Sequence, residues 1–146
     1  MSNPRSDVVR LGAVAVYHCW NRCVRRAFLC GKDPSTGKDY EYRRGWVRQM
    51  QVTLAALFAI EVGFRAELIN HFHLILRTRP DVVESWSDEE VVRRWLTITK
   101  LAKSRDGKPR PPSKARIAME RILPGRVKQL RENLSNPSWF TKEKFK

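Results

Sequence analysis

The stretch that most restricts the folds open to this chain is residues 64–78, FRAELINHFHLILRT. It is rich in β-favouring side chains and apolar on both faces around residues 69–76, as expected of strand structure covered on two sides. Asn70 marks a turn between two strands, or a bulge, within it. Successive side chains leave a strand on opposite faces, so His71 and His73 project together while Phe72 enters the other layer. Two imidazoles at neighbouring same-face positions can chelate one cation. Such a site leaves coordination positions open for a third protein ligand, water and a phosphate oxygen. The alternative for a bare His-x-His is a half-buried, hydrogen-bonded and inert pair.

Around this run the periodicity changes several times. Residues 12–19 alternate loosely and predict a first strand after a disordered start over about residues 1–10. Residues 21–44 hold Gly31, Asp33-Pro34-Ser35-Thr36-Gly37 and several arginines, which predicts a basic loop with a short strand around residues 27–30. Across residues 40–62, Val47, Met50, Leu54, Leu57, Phe58, Ile60 and Val62 recur at three- and four-residue spacing. That pattern predicts an amphipathic helix, with Gly63 as its stop. Ser87-Asp88-Glu89-Glu90 is a capping-box signature, serine accepting an early amide while Glu90 reaches back, and it opens a helix to about Leu101. A basic loop over residues 102–112 follows. Ser113 then caps a helix that Pro124-Gly125 kinks or splits, and Pro137-Ser138 starts another.

A chain of 146 residues suffices for one domain with its own core. The formal net charge of +14 is spread along the sequence and is not confined to a tail, so an anionic polymer is the first partner to consider. No apolar stretch reaches the ~18 residues of a membrane span and the start lacks a signal-peptide pattern, so a cytoplasmic protein with no membrane partner is expected. Cys19, Cys23 and Cys30 are odd in number and lack paired CxxC spacing, which argues against a disulfide framework and a structural zinc site. Trp20 and Trp46 offer stacking surfaces. Arg22, Arg25 and Arg26 can clamp phosphates or form a solvated patch, and Lys100, Lys103 and Arg105 of the basic loop can contact a DNA backbone or serve as a solvated linker. His18 reads as a buried, hydrogen-bonded histidine outside the ligand set.

Three stretches, YHCWNRCVRRAFLCG at residues 17–31, AELINHFHLIL at residues 66–76 and NPSWF at residues 136–140, resemble the HUH-type tyrosine transposases, above all the REP-associated tyrosine transposases. The resemblance implies an α+β, ferredoxin-like antiparallel sheet with helices packed on one face, plus C-terminal helices. It implies action on single-stranded or hairpin DNA, often as a homodimer, with His71 and His73 binding a divalent ion, Mg2+ or Mn2+, that polarises the scissile phosphate. In that family a tyrosine on a helix after the His-x-His strand attacks the phosphate. This sequence has no tyrosine after Tyr42, and it is expected to stop short of the nucleophile-bearing helix. A non-catalytic nucleic-acid-binding module is the other reading.

Overall fold

The computed structural model describes residues 4–22 and 28–142. Its strands are β1 (Ala15–Arg22), β2 (Ile60–Glu67) and β3 (His71–Thr78), joined antiparallel in the order β1-β3-β2. The helices are α1 (Arg5–Val8), α2 (Tyr42–Leu57), α3 (Pro80–Glu84), α4 (Asp88–Lys103), α5 (Lys114–Arg121), α6 (Arg126–Leu134) and α7 (Pro137–Lys142). Within the segment expected to lack order, α1 forms a single helical turn. Among the described residues no helix is long and apolar enough to cross a membrane.

The doubly apolar run forms the central strand, paired on both edges, but among the described residues the helices bury only one of its faces, not both as its composition led one to expect. Phe72, Leu74 and Leu76 of β3 point to one side and are buried in one core with Leu54 and Phe58 of the α2 end, Trp95 and Ile98 of α4, Leu130 and Leu134 of α6, and Phe140 of α7. Burying side chains of this size stabilises the fold by about 1.5–3 kcal/mol each, which outweighs weak local preferences. The helices pack against this face. The opposite face is open: Val16 of β1, Trp20 of β1 and Phe64 of β2 are 64%, 62% and 59% exposed.

The helix expected over residues 40–62 ends earlier, at Leu57. Phe58 turns to an extended conformation, and Ile60 and Val62 instead pair with Thr78 and Leu76 of β3. Cross-strand pairing outcompetes helical periodicity for these β-branched residues. Gly63 is accordingly not a helix stop. It is the extra residue of a β-bulge, lying between the pairs Val62 with Leu76 and Phe64 with Ile75. The extra residue inverts the alternation, so Val62 faces the helices while Phe64 faces outward.

Two further corrections concern local chemistry. Residues 28–30 are not a strand; the amides of Leu29 and Cys30 both donate to the Ile69 carbonyl, at 2.6 and 3.3 Å, and residue 27 lies outside the described residues. Ser87 accepts from the Glu90 amide as a cap should, but the Glu90 carboxylate does not reach back to complete the box. It engages Arg93 and Arg94, the latter at 2.7 Å. Ser113 caps α5, and Gly125, with φ at 68°, splits α5 from α6 where Pro124-Gly125 led one to expect a break.

Candidate metal centre

All three histidines of the chain gather on the open face of the sheet. In the β1–β3 register Arg22 lies opposite His71, Trp20 opposite His73 and His18 opposite Ile75. Residues paired in this way leave the sheet on the same side, away from Phe72 and Leu74. His71 and His73 are half-buried, with ring centroids 5.2 Å apart and planes at 79°. His18, expected to be buried, is exposed, because β1 borders the uncovered face; its ring lies 5.1 Å from that of His73 and within 16° of parallel.

Hydrogen bonding decides which ring nitrogens are left for chemistry. Asn70 Oδ1 is 2.7 Å from Nδ1 of His71. An amide oxygen only accepts, so this geometry assigns the proton to Nδ1 and leaves the Nε2 lone pair of His71 open. Nε2 of His18 is 2.9 Å from Nδ1 of His73. With His73 donating across that contact, its Nε2 is a second open lone pair. A ligand imidazole is ordinarily held in this manner, gripped through its other nitrogen so that ring and tautomer are both set. Asn70 and His18 take those supporting places.

The donor set suits a divalent ion held through the Nε2 atoms of His71 and His73. Nε2 of His18 is engaged by His73, and among the described residues no group of three or more His, Cys, Asp or Glu side chains is arranged to hold a metal. Two protein ligands match an ion that keeps several waters, such as Mg2+ or Mn2+, and not the four-ligand closure of structural zinc.

Beside His18 and Trp20 a groove of about 580 Å³ runs along β1, walled by Val8, Pro137, Ser138 and Thr141. The fold thus brings the first and last of the three family-like stretches together. The remaining site residues distribute differently. Arg22 is exposed at the end of β1, beside His71, whereas Arg25 and Arg26 lie outside the described residues. Lys100 and Lys103 belong to the last turn of α4, on the helical side of the sheet, and Arg105 follows in the loop. The loop passes over α2: a Cβ built on Gly107 would lie 3.8 Å from Trp46 Nε1. These basic residues and Trp46 are therefore separated from the histidines by the sheet. Sequence reasoning read Asn70 as a turn or bulge, and it does lie in the turn between β2 and β3, but missed its hold on His71; it also missed Phe64, whose outward turn depends on the bulge. Comparison with protein-family models, curated proteins and solved structures gives no match.

Proposed function

We propose that the chain is a DNA-binding domain of the transposase type, ferredoxin-like in its sheet. It lays single-stranded or hairpin DNA on the open face, beside a two-histidine site for Mg2+ or Mn2+. One observation carries this reading: two imidazoles share one sheet face, each held through Nδ1, and among the described residues neither Nε2 has a hydrogen-bond partner. When bound, the ion would neutralise charge on a phosphodiester and polarise it. The chain's own groups do the rest. Trp20, opposite His73, offers an exposed ring on which a base stacks, and Arg22, opposite His71, offers a guanidinium fork for a phosphate.

One observation favours the second reading, a binding module without strand-transfer chemistry. Tyr17 leaves β1 on the side opposite His18, and its hydroxyl accepts from the Arg10 amide at 2.9 Å. Tyr40 stacks near Phe28 with Arg43 over its ring, and Tyr42 opens α2. None of the three tyrosines leaves the sheet on the histidine face.

Binding to hairpin and unstructured single-stranded oligonucleotides, followed by fluorescence anisotropy across a salt series, tests the proposal. Affinity should fall with salt with a logarithmic slope of about 0.7 per phosphate contacted. Trp20→Ala should lower affinity about tenfold with that slope unchanged, since stacking is worth about 1–3 kcal/mol per base. Arg22→Ala, which removes one phosphate contact, should reduce the slope by about 0.7. Failure to bind any single strand, or affinity indifferent to both substitutions, overturns the reading. A suicide oligonucleotide separates the two versions: the non-catalytic module forms no covalent adduct at any metal concentration.

A further inference from the structure

A second groove, of about 560 Å³, lies between α2 and the outer strand β2 and is lined by Gln51, Val52, Ala55, Val62, Phe64 and Arg65. Its unusual member is Gln51. This residue is 1% exposed, and both its Nε2 and its Oε1 are buried with no hydrogen-bond partner among the described residues. Its buried neighbours along the same stripe of α2 are Val47 and Leu54, one turn to either side. A leucine at residue 51 would continue the stripe and remove two orphaned polar groups, so stability alone does not account for glutamine there. A buried amide left unsatisfied at a groove wall points to a ligand that completes it.

The groove's chemistry narrows that ligand. A primary amide presents a donor and an acceptor side by side in one plane, which is the complement of the N6 and N7 edge of adenine. Ala55 and Val62 supply apolar walls for a flat ring. Phe64, turned outward by the Gly63 bulge and 59% exposed, supplies a stacking face at the rim. Arg65, also at the rim, supplies a cation for the adjoining phosphate. In a chain of net charge +14, a nucleotide is the ligand that satisfies all of these at once.

We propose that the groove between α2 and β2 receives one unpaired nucleobase, an adenine read by the Gln51 amide and stacked on Phe64, so that DNA is selected by a contact separate from the metal ligands. This rests on the nucleic-acid reading above but adds a base preference that the histidine face does not supply.

The test is anisotropy binding of the full chain to homopolymeric dA, dT and dC oligonucleotides, with a thermal melt of each variant. Wild-type protein should prefer dA to dT by about tenfold, the discrimination expected of one bidentate amide contact. Gln51→Leu should melt higher, having lost two unpaired buried groups, yet bind dA no better than dT. Gln51→Glu should move the preference toward dC, whose exocyclic amine donates to a carboxylate. Phe64→Ala should weaken all three. Equal binding of dA and dT by wild type, or an unchanged dA preference in Gln51→Leu, overturns the base pocket and leaves the histidine-face proposal standing. Absence of binding to every oligonucleotide overturns both.

Discussion

Replacing His71 and His73 together by alanine should abolish the proposed Mn2+ binding and leave the fold intact. Both side chains lie on the open face and take no part in the core, so circular dichroism and the melting curve should stay close to those of wild type. Calorimetric titration should show one Mn2+ bound by wild type and none by the double variant. Mn2+ should bind more tightly than Mg2+, because imidazole nitrogen favours the later divalent ion while Mg2+ prefers oxygen. The supporting residues sharpen the test. Asn70→Ala frees Nδ1 of His71 and His18→Ala frees Nδ1 of His73, and each should weaken Mn2+ about 10–100-fold without removing a ligand. Indistinguishable Mn2+ titrations of wild type and the double variant would eliminate the metal centre.

Phe140→Ala should destabilise the protein by about 3–5 kcal/mol, the usual range for truncating a buried aromatic. Phe140 is fully buried and meets Phe58 edge-to-face at 5.4 Å, while its neighbour Trp139 meets Trp95 of α4 at 5.3 Å and 86°. The same corner is tied by the backbone, since the Ala59 amide donates to the Leu134 carbonyl at 2.9 Å. Thus α6 and α7 brace the junction from which β2 departs. A loss of this size is a large part of the 5–15 kcal/mol that holds an ordinary domain together and should lower the melting temperature by about 10 °C. Urea denaturation measures it. A loss below about 1 kcal/mol would show that α7 is not part of the cooperative unit.

The parts of this architecture legible in the sequence were those written in one local pattern. The apolar run around His71-Phe72-His73 marked the central strand, Ser87 and Ser113 marked helix starts, and Pro124-Gly125 marked the break between α5 and α6. What escaped depends on contacts between distant residues. Ile60 and Val62 continue a helical spacing from α2 and also share a period of two, and only pairing with β3 decides between those readings. The bulge at Gly63 then turns Phe64 to the opposite side from Val62, which no alternation rule foresees. The partnership of His18 with His73 spans 55 residues and follows from strand order. Gln51 resembles any polar residue of a surface helix until the fold closes over it.

The uncovered sheet face has a practical side. Strong net charge keeps copies of this chain apart by mutual repulsion at low ionic strength, but added electrolyte shortens the reach of that repulsion to a few ångströms and leaves contacts between bare rings unopposed. Concentrated brine should therefore favour self-association through Val16, Trp20 and Phe64 of separate molecules, which light scattering across a salt series would report.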